Sequence, residues 1–272
     1  MSEDPEKVGD VHRQSGVRPP GIAGMGEFLE ASLDRRWRRF RRVLRATQAG
    51  VSESAIHELR VSLRRLISLL EILGGAISDD ATGKARRVLK KLLRTLSPVR
   101  DVHVLSGRME DFRGRFAAAK RLAKTLKKEE EVLVRTAQKP LCAAGVGRLK
   151  RLVGRSRKAL RRELLRPGGP RRTHAALMGQ VREAFLKVDL RRRELTRESM
   201  DSFHALRIAF KKFRYAVEAL QPGILDANDS VMRRMRQFQR RLGEIQDLAL
   251  MAEFMERVAH EDDRMEIGRA HV

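Results

Sequence analysis

A ten-residue motif occurs twice in this sequence, and each copy has the spacing of an amphipathic helix. The first copy, HELRVSLRRL, covers residues 57–66, and the second, HALRIAFKKF, covers residues 204–213. At 3.6 residues per turn, the histidine and basic residues of each copy lie on one side of the helix and the apolar residues on another. The repeat therefore predicts two related helices, each with one face for burial and one face for anions.

A second pair of segments repeats at nearly the same distance along the chain. The motif copies are offset by 147 residues, and the segments that contain Asp101 and Asp247 are offset by 146. Two matches in the same order indicate an internal duplication. The second offset also aligns two basic stripes with i, i+3, i+7 spacing, which are Arg87, Lys90, Arg94 and Arg233, Arg236, Arg240. We hypothesise that an approximate two-fold axis brings four basic stripes to one groove or channel.

The composition favours helices over sheets. Apolar residues make up 42% of the chain but aromatic residues only 4%, so the core must be mostly aliphatic. Aliphatic residues recur at helical spacing among many Arg, Lys and Glu residues, which are good helix formers. Four consecutive helical segments with short connections predict an antiparallel bundle in the first half. The predicted fold class is therefore all-α.

Polar caps, glycine and proline mark the expected ends of helices. Ser52 or Ser54 is a candidate N-cap for the helix of the first motif, and the glycines at 74–75 are expected to end it. Pro98 is expected to begin the fourth helix, and Gly243 to begin the last one. The chain then divides into a disordered tail (1–24), a first half (25–137), a connecting helix with a Pro/Gly linker (138–172), a second half (173–263) and a C-terminal tail (264–272).

The charge of the chain points to an anionic partner. The net charge is +24, from 59 Lys and Arg against 35 Asp and Glu, an excess beyond what solubility requires. Cys142 is the only cysteine, so no intrachain disulfide can form and a reducing compartment is expected. The chain has no secretory signal and no run that approaches the ~20 apolar residues of a membrane span. We expect a cytoplasmic protein that does not enter a membrane.

Three other classes of function are alternatives to polyanion binding. Nucleic-acid binding is the main alternative, although few aromatic residues are available to stack on bases and no zinc-finger or RNA-recognition signature occurs. A scaffold that coats an acidic particle or partner is the second. An enzyme would need His57 or His204 to accept a phosphoryl group or bind a metal, but no metal-ligand spacing or glycine-rich phosphate loop accompanies them. We therefore expect no catalytic residue, no metal and no cofactor.

Four short motifs follow one another along the chain. They are H-x-x-R-x-x-x-R-R-L at 57–66, R-D-x-x-V-L at 100–105, H-x-L-R-I-x-x-K-K-x-R-Y-x-x-E at 204–218 and L-G-x-I-Q-D-L at 242–248. In this order they resemble the conserved histidine α-helical domain family, abbreviated CHAD. The resemblance covers roughly residues 27–260.

The resemblance implies two repeated antiparallel four-helix bundles with pseudo-two-fold symmetry around a basic groove or pore. It also implies a stand-alone protein that binds inorganic polyphosphate, without catalysis, and that associates with polyphosphate granules. Arginine suits this ligand because its planar fork grips two phosphate oxygens, while lysine supplies a mobile charge. The residues expected to bind polyphosphate are His57, Arg60, Arg64, Arg65, Arg87, Lys90, Arg94, His204, Arg207, Lys211, Lys212, Arg214, Tyr215, Arg233, Arg236 and Arg240.

Overall fold

The computed structural model describes residues 24–112, 117–196, 199–221, 223–225 and 227–270, and the regular structure in these residues is helical. The predicted tail, apart from Gly24, lies outside the described residues. The helices are α1 (Met25–Ala49), α2 (Glu53–Ala76), α3 (Asp80–Thr95), α4 (Ser97–Phe112), α5 (Ala117–Cys142), α6 (Val146–Leu165), α7 (Gly169–Arg193), α8 (Met200–Leu220) and α9 (Asp229–Ala270). The all-α prediction is confirmed. None of these helices is long and apolar enough to cross a membrane.

Two of the predicted helix starts are confirmed, but one predicted end is wrong. Ser52 caps α2, since its hydroxyl accepts a hydrogen bond from the backbone N–H of Ala55 at 3.2 Å, and α4 begins at Ser97. However, α2 continues through the glycines at 74–75 to Ala76. A glycine costs a helix only about 1 kcal/mol, and burial of the neighbouring apolar residues of α2 offsets that cost.

The predicted break at Gly243 is also wrong, because α9 is one continuous helix. The equivalent point in the first half is followed by Pro98, whose ring removes a backbone N–H and forces a new helix to start. The second half has no proline there. Burial of Leu242 and Met251 holds the helix on both sides of the glycine.

The main core lies among α1, α2, α3 and α6. The apolar face of the first motif is fully buried there, through Leu59, Leu63 and Leu66. The segment predicted to connect the halves contains α6, and α6 packs against both α1 and α3. Thr82 of α3 donates a hydrogen bond to Ser156 of α6 at 2.9 Å inside this interface. The leucine face therefore fixes α2 with its basic side turned away from the core.

The second half is less completely covered than the first. Leu92 of α3 is 6% exposed, whereas Phe238, at the matching position of α9, is 43% exposed. Trp37 of α1 is 7% exposed, but Phe185 of α7 is 52% exposed. In the first half, α2 and α6 each pack against both α1 and α3. In the second half, among the described helices, only α8 packs substantially against both α7 and α9. The pseudo-two-fold relation of the halves stays a prediction.

The different cover of the two halves should appear in their stability. We expect Leu92→Ala to lower the free energy of unfolding by about 2–5 kcal/mol, because it opens a cavity in a closed core. Phe238→Ala should cost less than half as much, since much of that side chain already contacts water. Chemical denaturation of the two variants measures both values, and equal losses would show that α6 does not close the core as described.

Candidate anion-binding site

The basic faces of the two motif helices line one cavity of about 660 Å³ between α2, α4, α8 and α9. We call it the central cavity. It brings together seven of the residues expected to bind polyphosphate, which are His57, Arg60, Arg64, His204, Arg207, Lys211 and Arg240. Its other polar lining residues are Ser97, Arg100, Asp101, Arg108, Gln239, Glu244, Gln246 and Asp247.

Arg60 links the basic face of α2 by hydrogen bonds to the end of α3 and the start of α4. Its side chain is buried, and Nη1 donates hydrogen bonds to the hydroxyl of Ser97 at 3.0 Å and to the carbonyl of Leu93 at 3.4 Å. Burial, together with the nearby charge of Arg64, lowers the pKa of the Arg60 guanidinium to about 10. Arg60 thus remains a cation at neutral pH and holds one wall of the cavity in place.

Positive charge exceeds negative charge in the central cavity. Seven Arg and Lys residues line it against three Asp and Glu residues. Two of the arginines have close partners: Arg108 lies 3.6 Å from Asp247, and Arg100 lies 2.7 Å from Glu53. In the described part of the chain, no carboxylate oxygen lies within 4 Å of the charged nitrogens of Arg64 or Lys211. The excess charge is therefore available to an anion that enters the cavity.

Lys211 is the residue whose ionisation the cavity alters most clearly. Burial is the main cause, and repulsion from Arg64, Arg207 and Arg60 adds to it, so the pKa of the Lys211 ammonium falls to about 7. Burial and the same Arg64 charge also lower the pKa of Arg207. These lowered pKa values indicate that the cavity disfavours further positive charge.

The two motif histidines have different surroundings. Burial and the charges of Arg100, Arg64 and Arg60 lower the pKa of His57, so it is mainly neutral at neutral pH. His204 instead forms a hydrogen bond between its Nδ1 and Oε1 of Gln246. The two halves therefore supply histidines with different partners.

Asp101 and Asp247, expected from the sequence to be structural, lie inside the cavity. Burial raises the pKa of both carboxyls, although nearby arginines oppose the shift. Asp101 interacts most strongly with Arg60 and Arg207, and Asp247 with Arg108 and Arg207. Each carboxylate thus faces cations from both halves of the chain and stabilises their close approach.

Nine of the expected binding residues lie outside the central cavity. Five of them belong to the α3 and α9 stripes; four of these are exposed, and Lys90 lies 3.5 Å from Glu71. Lys212 lines a separate apolar groove between α2, α7 and α8. The residues outside the cavity are Arg65, Arg87, Lys90, Arg94, Lys212, Arg214, Tyr215, Arg233 and Arg236. The basic stripes of α2 and α8 meet in the central cavity. The α9 stripe contributes Arg240 to it, and the α3 stripe contributes no lining residue.

Arg65, Arg214 and Tyr215 belong to a buried network around Glu218. The two carboxylate oxygens of Glu218 lie 2.6 Å from Nε of Arg65 and 2.8 Å from Nη1 of Arg214. Arg214 also donates to Gln239 of α9 at 2.6 Å and lies over the Tyr215 ring. This network joins α2, α8 and α9, and it sets the distance between the walls of the cavity.

Sequence reasoning missed Arg100 and Arg108 as lining residues. Both lie on α4, where Ser97, Arg100, Asp101 and Arg108 all line the cavity. Their positions follow the i, i+3, i+4 spacing of one helix face, which is a signal that the sequence contains. Among the described residues, no group of three or more His, Cys, Asp or Glu side chains is arranged to hold a metal ion.

Comparisons with known proteins agree with this architecture. A family model described as the CHAD domain matches residues 31–256. The crystal structure of the CHAD domain from the plant Ricinus communis superposes with a TM-score of 0.66 at 19% identity, covering 96% of this chain and 89% of that one. PptA from Streptomyces chartreusis gives a TM-score of 0.47 at 16% identity, covering 85% and 99%. A search of curated proteins found no significant match.

The pKa of Lys211 provides a direct test of the electrostatics of the central cavity. We expect NMR titration of the labelled lysine side chains to give Lys211 a pKa of about 7. Arg64→Gln should raise this pKa, because repulsion from Arg64 is the largest cause of the lowered pKa after burial. Arg87→Gln, which removes an exposed charge of α3 outside the cavity, should leave it unchanged. An ordinary lysine pKa in the native protein would contradict the burial of this residue.

Proposed function

The chain belongs to the CHAD domain family, and we propose that its central cavity binds inorganic polyphosphate. The family is associated with polyphosphate binding. The observation that carries the proposal is that the basic faces of both motif copies meet in one cavity with few carboxylate partners. If these residues only formed a solvated surface, the two basic faces would not need to meet in one cavity.

Polyphosphate matches the chemistry of the cavity. It is a flexible chain of tetrahedral anions without bases. A protein therefore recognises it with spaced cations and hydrogen-bond donors, not through contacts with base edges. The residues His57 to Arg64 extend over about 10 Å of helix, at 1.5 Å per residue, which lets one wall follow consecutive phosphates. A charge-assisted hydrogen bond contributes about 1.5–3 kcal/mol, and nanomolar affinity corresponds to about 12 kcal/mol. Fewer than ten good contacts therefore suffice after ordering costs.

Nucleic acid fits the cavity less well. Among the described residues, no Phe, Tyr or Trp side chain lines the central cavity to stack on a base, whereas proteins that bind single strands rely on such stacking. Duplex DNA is a wide, stiff rod, whereas the basic faces of the two motif helices meet in a cavity between helices rather than on an open face. The proposal gives the chain a binding role without catalysis, in the cytoplasm or on polyphosphate granules.

Neutralising the two cavity arginines tests the proposal. We expect Arg64→Gln combined with Arg207→Gln to weaken binding of long-chain polyphosphate by at least about 100-fold, because each arginine loses a charge-assisted contact of about 1.5–3 kcal/mol. Biolayer interferometry with end-labelled polyphosphate at physiological salt measures the change. In wild type, duplex DNA and RNA at equal phosphate concentration should compete poorly, and affinity should fall steeply as salt rises.

The matched control is Arg233→Gln combined with Arg236→Gln. These exposed residues of α9 lie outside the cavity, and the control removes the same two charges, so binding should weaken by less than about threefold. An equal loss in both variants would mean that net charge alone attracts the ligand. Displacement of polyphosphate by nucleic acid would favour the alternative function.

Binding should also take up protons in a pH-dependent way. With a pKa of about 7, Lys211 is mostly neutral at pH 8 in the free protein, and a bound polyanion favours its charged form. Calorimetry in buffers of different ionisation enthalpy should therefore detect proton uptake at pH 8. At pH 6, Lys211 is already charged and its contribution should disappear. Lys211→Arg should bind without this uptake at pH 8, because arginine stays protonated; unchanged uptake would exclude Lys211 as its source.

A further inference from the structure

A second basic cavity, of about 670 Å³, lies on the other side of α2. We call it the α1 cavity, because most of its wall is the arginine-rich face of α1. Its cationic lining residues are Arg35, Arg36, Arg38, Arg39, Arg42 and Arg65. The first five come from one helix face, and Arg35 to Arg42 extend over about 10 Å at 1.5 Å per residue.

The α1 cavity contains little compensating negative charge. Glu218 is its one lining carboxylate, and it is already held by Arg65 at 2.6 Å and by Arg214, which does not line the cavity, at 2.8 Å. Arg39 lies 3.8 Å from the exposed Glu58. Within the described residues, Arg35, Arg38 and Arg42 have no carboxylate oxygen within 4 Å.

The hydrogen bonds of Arg36, in the wall of the α1 cavity, are incomplete. Its guanidinium donates to the carbonyl of Glu218 at 3.2 Å and to Ser32. Its Nε is buried and has no partner among the described residues. A buried donor without an acceptor costs about 1–3 kcal/mol, so contacts within the protein leave Arg36 incompletely satisfied.

The two cavities lie next to each other across α2. Arg64 lines the central cavity and the adjacent Arg65 lines the α1 cavity. Consecutive residues of a helix are turned by about 100° and rise by 1.5 Å. The cavities therefore flank the same turn of α2.

We propose that the α1 cavity is a second site for condensed phosphate, separate from the central cavity. Its arginines offer planar forks at i, i+3, i+4 and i+7 spacing, which suits the successive tetrahedral anions of a phosphate chain. The inference rests on the proposed function for the class of ligand, but it assigns that ligand a second, distinct set of residues. A long chain can then occupy both sites, whereas a short one occupies each separately.

Calorimetric titration with tripolyphosphate counts the sites. We expect two equivalents per wild-type chain and one equivalent for the triple variant Arg35→Gln, Arg38→Gln, Arg42→Gln. These three side chains are exposed, so their replacement should leave the fold intact. The central-cavity variant Arg64→Gln, Arg207→Gln should also keep one equivalent, at the α1 cavity. Long-chain polyphosphate should bind the α1 variant about tenfold or more weakly.

The matched control is Arg148→Gln, Arg151→Gln, Arg171→Gln, which removes three exposed arginines outside both cavities and should keep two equivalents. A single equivalent in wild type that the α1 variant retains would overturn the second site and leave the central one standing. Two equivalents in the α1 variant, or equal losses in the control, would also overturn it. No binding of tripolyphosphate or long chains to wild type would remove both proposals.

Discussion

The crowding of buried cations is the constraint on which this structure depends. Arg60, Arg64, Arg207 and Lys211 share one cavity, and burial first, then repulsion from the three arginines, lowers the pKa of Lys211. The fold resists this repulsion because each motif helix is anchored by its opposite face. Burying a leucine contributes about 1.5–3 kcal/mol, and the first motif buries several completely. Packing therefore stabilises an arrangement that electrostatics alone would separate.

Carboxylates at the cavity edges limit the repulsion without removing it. Asp101 and Asp247 each interact with arginines of both halves. Glu218 joins Arg65 of α2 to Arg214 of α8, and Arg214 continues the network to Gln239 of α9. Buried ion pairs contribute little net stability but fix geometry when their hydrogen bonds are satisfied. These residues therefore set the spacing of the helices that present the cations.

The sequence predicted the helical fold and seven of the residues that line the central cavity, because both depend on local spacing. The leucines and basic residues of α2 and α8 repeat at helical intervals, so their two faces could be assigned without tertiary information. The α3 stripe could not be placed in this way, since the direction it faces depends on how α3 packs against α2 and α6. Burial of Arg214 and Tyr215 likewise depends on Gln239 of α9 and on Arg65 of α2, which pairs with Glu218, and both partners are distant in sequence from the motif. Gly243 was misjudged because packing outweighs the modest cost of one helical glycine.

The two copies of the motif supply two basic faces that are unequal. Arg100 and Gln246 occupy equivalent positions in the two halves, and each is next to the histidine of its own motif. Arg100 contributes a charge that lowers the pKa of His57, whereas Gln246 gives His204 a neutral hydrogen bond. Burial, together with the charge of Arg64, lowers the pKa of its counterpart Lys211 to about 7. The two motif copies therefore differ in that the second one supplies a lysine whose charge depends on what enters the cavity.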